Sequence, residues 1–372
     1  MTDGYRIVVL GGHGHFGSRI VRALARTPGL EVLAAGRNVR SVPAIEGACS
    51  PVTACQLDTN DPEFPSRLAA TGAQLVIHTA GPFQGQGDGV ARACMQAGMH
   101  YIDLADGRDF VRGFPAALDA LARRHGRCAI TGASTLPALS SAVIDGLVGQ
   151  FDQLEHIGIV IAPAQATPLG LATVRAVLSY CGEPFRWWHD GRWQTVVGWA
   201  RPQRVQFAQL APRLASPCDV PDHDLLPARY PGVRTVQFRA ALEVTFLQRC
   251  LAVVAWLRQR GLPLPMHAMA DTMAKAGRWF DRFGTDLGGM RIELRGQRGG
   301  QPHTLHWDLT APMLHGPEIP CFAAVLLARQ LAAGRELAPG AQACMGLLTL
   351  ADFEGEFARW GIESQVSTTS RG

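Results

Sequence analysis

Three glycines near the start, Gly12-x-Gly14-x-x-Gly17, stand at the spacing that lets backbone amides approach a pyrophosphate. An apolar run, Tyr5-Arg6-Ile7-Val8-Val9-Leu10, precedes them, and an amphipathic stretch from Ser18 to Ala25 follows. The motif therefore sits where a strand passes into a helix N-terminus, the place where a dinucleotide's phosphates are held. A second group of residues could handle a proton. Tyr101, Asp103 and Asp106 lie at the end of another short apolar run, and alternate strand residues share a face, so Tyr101 and Asp103 point the same way. His315 stands in a His315-Gly316-Pro317 turn and is the side-chain type that titrates nearest neutral pH. Hydride transfer asks little else of a protein: a held nicotinamide, a carbon at near-attack distance and one acid or base. Asp106, Tyr101 and His315 are the catalytic candidates. Their structural alternatives are helix capping for the aspartates and a solvent-facing loop for the histidine.

The residue ending the second strand of such a fold chooses the cofactor. A carboxylate there accepts from ribose hydroxyls and selects NAD, whereas an arginine faces a 2′-phosphate and selects NADP. Here the strand ends Ala35-Gly36-Arg37-Asn38, with Arg40 close by and no acid. The expected cofactor is NADP. Asp58, after the third strand, could hold the adenine edge. Thr79-Ala80-Gly81-Pro82-Phe83 ends the fourth strand, where strand C-termini face the ligand crevice. Cofactor contacts are accordingly expected from Gly12, Gly14, His15, Phe16, Gly17, Arg37, Asn38, Asp58, Thr79, Gly81, Pro82 and Phe83. Ser134, Thr135 and Pro137 could close over the nicotinamide.

These residues need a scaffold, and the sequence pattern supplies one. Short apolar runs at 6–10, 31–35, 53–57, 75–79, 101–104 and 128–131 read as strands, with helical stretches at 18–26, 62–70, 89–97 and 116–124. Strands alternating with helices imply an α/β fold: an N-terminal Rossmann domain with a doubly wound parallel sheet. Past residue 150 the pattern changes. Runs at 154–162, 289–295 and 303–309 read as strands, the last two forming a hairpin across Gly296-Gln297-Arg298-Gly299-Gly300. Stretches at 166–180, 243–260, 266–283 and 321–333 read as helices, and 187–241 as short strands rich in Arg, Pro and Trp. The second domain is thus α+β. The division expected is 1–150 for dinucleotide binding, 151–345 for substrate and dimer contacts, and 346–372 as a terminal segment packing back on the first domain, frayed from 364 onward.

Composition excludes several chemistries. The 372 residues are 47% hydrophobic and 18% charged with a net charge of +4, enough for full cores and too little positive charge for a nucleic-acid partner. Lys275 is the single lysine and lies in an ordinary helical stretch, which argues against a Schiff-base mechanism. Nine cysteines are scattered without metal spacing and suit a reducing cytoplasm. Asp219, Asp222, His223 and Asp224 form an acidic cluster read as loop capping, and no metal is expected. The run 251–257, flanked by Arg249, Arg258 and Arg260, is too short to span a bilayer. It reads as a buried helix, with a surface-lying helix in peripheral membrane contact as the alternative. Trp187, Trp188, Trp193 and Trp199, beside Arg186, Arg192 and Arg201, could wall a substrate pocket, form a core or meet a second copy.

The chain resembles the saccharopine-dehydrogenase-like family of NADP-binding oxidoreductases. The resemblance rests on Gly11 to Gly17, Ala35-Gly36-Arg37-Asn38, Gly81-Pro82-Phe83, Gly89 to Cys94 and Gly98-Met99-His100-Tyr101-Ile102-Asp103-Leu104. It is good over the first 140 residues and looser at Asp219 to His223, Phe283-Gly284, Gly288-Gly289-Met290 and His315-Gly316-Pro317. It implies a Rossmann domain, a second α+β domain that often forms a dimer, and hydride transfer between NADP(H) and a C–N bond of a small substrate. Other relatives are enoyl reductases acting on lipids. The expectation is an NADP(H)-dependent cytoplasmic homodimer acting on a small molecule. The alternatives are an enoyl or ketone reductase on a lipid-like substrate and a catalytically silent NADP-binding scaffold.

Overall fold

The computed structural model describes residues 4–38, 41–167, 174–175, 178–262, 264 and 266–368. Two compact units emerge: Met1–Leu139 with Glu318–Leu348, and Ser140–Pro317 with Thr349–Gly372. The chain therefore leaves the first unit at Leu139 and returns to it over Glu318–Leu348. The expected boundaries at 150 and 345 are displaced, and the terminal segment belongs to the second unit.

In the first unit β1 (Tyr5–Leu10), β2 (Leu30–Gly36), β3 (Val52–Gln56), β4 (Leu75–His78), β5 (His100–Asp103), β6 (Cys128–Thr131) and β15 (Gly340–Ala343) form one sheet in the order β15-β6-β5-β4-β1-β2-β3. Every neighbouring pair in it is parallel. This is the doubly wound order, reversing direction at β1, and that reversal opens a crevice at the strands' C-terminal ends. Ile7, Val8 and Val9 are all fully buried, as expected of a strand covered on both faces. The covering helices are α1 (Gly17–Ala25), α2 (Phe64–Ala70), α3 (Gly89–Gln96), α4 (Arg108–Arg124) and, from the returning segment, α9 (Ile319–Ala332). α1 buries Ile20, Val21, Leu24 and Ala25, a stripe at helical spacing. α4 begins eight residues before the expected 116 and carries Pro115 in its interior. Val111 and Phe114 anchor the turns before the proline, which is why it does not set the helix start.

The second unit is built on a nine-stranded mixed sheet. Its path runs β10 (Gln203–Val205), β11 (Arg213–Pro217), β12 (Thr235–Ala241), β7 (Gln153–Ala162), β13 (Gly288–Arg298), β14 (Gln301–Ala311) and β16 (Glu363–Thr368), with β8 (Pro184–His189) and β9 (Arg192–Val197) attached to β12. The β13–β14 hairpin is longer and tighter than expected. Its strands continue to Arg298 and Gln301, leaving Gly299-Gly300 as the turn, both at positive φ (57° and 72°) as the two-residue hairpin turn requires. Residues 364–368, expected to fray, instead pair with β14. The helices are α5 (Ser140–Leu147), α6 (Asp222–Arg229), α7 (Thr245–Gln259), α8 (Met266–Arg278) and α10 (Leu350–Arg359). Of the helix expected over 166–180, residues 174–175 and 178–179 are helical, and 168–173 and 176–177 lie outside the described residues. Trp187 and Trp199 are core side chains, while Trp188 and Trp193 pack edge-on at 5.3 Å between ring centroids. No helix among the described residues is long and apolar enough to cross a membrane.

Candidate dinucleotide site

The glycine turn is defined by what a side chain would strike. A Cβ at Gly17 would lie 2.1 Å from the Gly11 carbonyl oxygen and 2.8 Å from Thr79 Oγ1. One at Gly12 would lie 2.9 Å from both Val9 O and Ala34 Cα, and Gly11 itself has φ +79°. These three glycines let β1, α1 and the end of β4 close on one another. Gly14 differs. It is exposed, and an added Cβ would meet only Gly11 O, at 3.0 Å. Its open side faces away from the fold, where a ligand could approach.

The turn presents unused donors. Gly12 N donates to Val9 and Ala35 carbonyls, Gly14 N to Gly11 O, and Ser18 N to Gly14 O. The amides of His15 and Phe16 have no acceptor among the described residues. Phe16 caps α1 without a side-chain bond, and the helix's first turn holds no acid. An uncapped helix N-terminus with free amides is suited to an anion. His15 is edge-on to Phe16 at 4.9 Å. Burial, then the neighbouring Arg19 cation, lowers its pKa. Arg19 is itself held by Glu318 at 2.9 Å.

Arg37 and Asn38 are exposed at the end of β2, and Arg37 has no acidic partner among the described residues. Arg40 lies outside the described residues. His13, a variable position of the motif, packs beside Gly36: a Cβ there would sit 3.6 Å from His13 Cδ2. His13 Nε2 is buried and has no hydrogen-bond partner among the described residues. An orphaned buried nitrogen beside Gly36 and an exposed guanidinium at the next residue are the groups that a phosphate-bearing ribose would engage, and NADP suits this end of the sheet. Sequence reasoning passed over His13 because any residue is allowed at that position. Asp58 is partly exposed, and its Oδ1 accepts from Asn60 N at 3.0 Å, closing a local turn.

The fourth strand's end divides into support and surface. Thr79 Oγ1 donates to Leu10 O at 2.8 Å, so it braces the glycine turn and its hydroxyl is already engaged. Gly81 and Pro82 are exposed and joined by a cis peptide bond. Phe83, expected among the cofactor contacts, turns its ring inward. Its ring is buried against His78 (5.1 Å) and Phe110 (5.6 Å), because the loop needs an apolar anchor in the core.

Tyr101 lies in the same buried cluster. Its side chain is 1% exposed, with its hydroxyl 3.0 Å from Nδ1 of the equally buried His78 and its ring stacked on Phe114. Burial drives the Tyr101 hydroxyl pKa far up, with Asp103 adding to the effect, and holds His78 neutral with a pKa of about 4. The Tyr101 hydroxyl, expected in the catalytic group, is thus enclosed in the core and engaged with His78. Asp103 is fully buried. Its Oδ1 accepts from Ala105 N (2.9 Å), Thr131 Oγ1 (2.9 Å) and Gly132 N (2.8 Å), tying β5 to β6, and burial raises its pKa to about 6. Asp106 stays accessible to solvent, and its Oδ1 accepts from Gln84 Nε2 at 3.2 Å. Crowding by surrounding protein pushes its carboxyl above the ordinary range, against that hydrogen bond.

His315 belongs to the second unit. Its Nδ1 donates to the Trp360 carbonyl at 2.7 Å and its ring lies edge-on to Trp360, which leaves Nε2 as the acceptor. The acidic cluster is also engaged locally. Asp222 is fully buried and accepts from Ser140 Oγ, and His223 Nε2 accepts from Phe238 N while Nδ1 faces Asp219 at 3.5 Å. Burial pushes Asp222 up to about 7.

A parallel sheet with a glycine-rich turn, an uncapped helix and a free arginine after β2 defines a dinucleotide-binding protein. Residues 7–130 match the saccharopine dehydrogenase NADP binding domain. A probable mitochondrial saccharopine dehydrogenase-like oxidoreductase of Arabidopsis thaliana is 32% identical over 150 residues, 36% of this chain and 33% of that protein. The match thus spans about a third of that relative's length. In fold the chain is similar to apo saccharopine dehydrogenase (L-Glu forming) from Saccharomyces cerevisiae, at a TM-score of 0.71 and 15% identity, covering 99% of this chain and 100% of that one. It is also similar to homospermidine synthase from Legionella pneumophila in complex with NAD, at a TM-score of 0.57 and 10% identity, covering 100% and 95%.

Proposed function

We propose that the protein is an NADP(H)-dependent oxidoreductase that moves a hydride to the C=N carbon of an imine or, in reverse, from the corresponding C–N carbon of a secondary amine. The observations that carry the cofactor half are the exposed Arg37 at the end of β2, without an acidic partner among the described residues, and the orphaned His13 Nε2 of the ring that packs beside Gly36. Bound NADPH would supply the hydride. The amides of His15 and Phe16 hold the pyrophosphate, and Gly14 leaves room for it. Arg37 binds the 2′-phosphate. Asp106 is the proton-handling group: accessible, held through Oδ1 by Gln84, and with its carboxyl pushed above the ordinary range by the surrounding protein. The substrate half rests on the family resemblance and on relatives named saccharopine dehydrogenase and homospermidine synthase.

The test is loss of NADPH absorbance with panels of amine and carbonyl pairs. Oxidation that needs both partners supports the proposal. Asp106→Asn should keep NADPH binding and lower kcat about a hundredfold. Turnover of enoyl or ketone lipids alone would replace the C=N reading, and tight NADPH binding with no turnover of any panel would leave a silent scaffold.

A further inference from the structure

Six of the eight large hydrophobic side chains most exposed among the described residues fall between positions 246 and 283: Phe246, Val253, Trp256, Leu262, Trp279 and Phe283. They are not scattered. α7 buries Gln248, Leu251 and Ala255 and turns Phe246, Val253 and Trp256 outward at helical spacing, the reverse of the expected buried helix. Phe246 stacks on Phe280 at 5.8 Å, which joins this stripe to Trp279 (80% exposed) and Phe283 (63% exposed) after α8. Leu262, just past the end of α7, lines a cleft of about 790 Å³ with Pro184, Val197 and Leu264.

The charge of the same segment is distinctive. Positions 245–283 hold six basic side chains (Arg249, Arg258, Arg260, Lys275, Arg278 and Arg282) and two acidic ones, Asp271 and Asp281. That excess of four equals the net charge of the whole chain, +4. Arg258 is paired with Glu183, whereas Arg260 lies over the Trp256 ring at 4.3 Å and Arg282 over Phe283 at 4.8 Å. Cations stacked on exposed aromatic rings place apolar and positive groups side by side, as an anionic bilayer interface demands. A second copy docked symmetrically on this face would set like charge against like.

We propose that the outer face of α7, together with the Trp279 to Phe283 segment, docks the protein peripherally on an anionic lipid surface. The aromatic and aliphatic side chains enter the headgroup region, and Arg249, Arg260, Lys275, Arg278 and Arg282 meet the lipid phosphates. This inference is independent of the hydride-transfer reading.

Co-sedimentation of the full chain with vesicles tests it, comparing phosphatidylcholine alone with a phosphatidylcholine–phosphatidylserine mixture at low and high salt. Binding is expected only with phosphatidylserine and should fall at high salt. Arg260→Gln, Arg278→Gln and Arg282→Gln should each weaken it about fivefold. Val253→Asp and Trp279→Asp should each weaken it more than tenfold, with circular dichroism and melting as the wild type because both sites are exposed. Failure of the wild type to sediment with phosphatidylserine vesicles would overturn the proposal. So would unchanged binding in the aspartate variants, or a dimer by light scattering that Val253→Asp dissolves without any vesicle binding, which would assign the face to a second copy.

Discussion

Gly14→Ala and Gly17→Ala should fail in different ways, because the two glycines are needed by different neighbours. At Gly17 the added Cβ would sit 2.1 Å from the Gly11 carbonyl oxygen and 2.7 Å from its carbon. Ordinary contact begins near 3.4 Å, so backbone must move by more than 1 Å. Gly11 O cannot yield freely, since it accepts from Gly14 N at 2.8 Å, and Thr79 Oγ1 is bound to Leu10. Overpacking of this kind costs about 2–3 kcal/mol, partly offset by the better helix propensity of alanine. Melting of the first unit should fall by roughly 5–10 °C. At Gly14 one backbone oxygen at 3.0 Å must give by a few tenths of an ångström, a cost below about 1 kcal/mol. The same methyl enters the space where a pyrophosphate would approach the free amides, so NADPH affinity should drop at least about tenfold. Thermal melting and calorimetric titration with NADPH separate the two effects. Gly17→Ala melting with the wild type would refute the steric argument. Gly14→Ala binding NADPH within twofold of wild type would remove the turn from the cofactor site.

Tyr101→Phe leaves buried His78 Nδ1 without its partner, so stability should fall by about 1–3 kcal/mol while NADPH affinity stays within about threefold. Unchanged melting with a large loss of kcat would return Tyr101 to the catalytic group. Asp222 ionises near pH 7 in the folded chain and near 3.9 when unfolded, so the folded state holds the extra proton between them. Stability from this group is therefore full below about pH 4 and is lost as pH rises to about 7, a difference of about 4 kcal/mol at most. Asp222→Asn, which has no proton to lose, should show a flatter urea-melting profile over that window, and an identical slope would contradict the assignment.

The Rossmann half was legible because its strands are buried on both faces and read as continuous apolar runs, and because Gly12, Gly14 and Gly17 mark a fixed geometry. The errors have physical causes. Pro115 looks like a helix start, yet Val111 and Phe114 bury enough surface to continue α4 through it. Residues 364–368 look like a polar tail, but an edge strand needs only backbone partners, and β14 offers them. Tyr101 and Phe83 carry suggestive side chains at the right strand ends. Which way each points depends on His78, Phe110 and Phe114, residues distant in sequence or silent in the pattern. His13 was invisible for a related reason, because only the packing of β2 against the turn brings it beside Gly36. The outward stripe of α7 could not be distinguished from a buried one, since that helix carries apolar residues on both faces.

Calorimetric titration of the wild type and Arg37→Asp with NADPH and NADH addresses the central claim most directly. A free arginine at the end of β2 should make NADPH the tighter ligand by at least about tenfold, in line with a charge-assisted phosphate contact of 1.5–3 kcal/mol. Arg37→Asp should abolish that preference by weakening NADPH binding, with NADH affinity little changed. Equal losses for the two cofactors, or NADH binding as tightly as NADPH in the wild type, would contradict it.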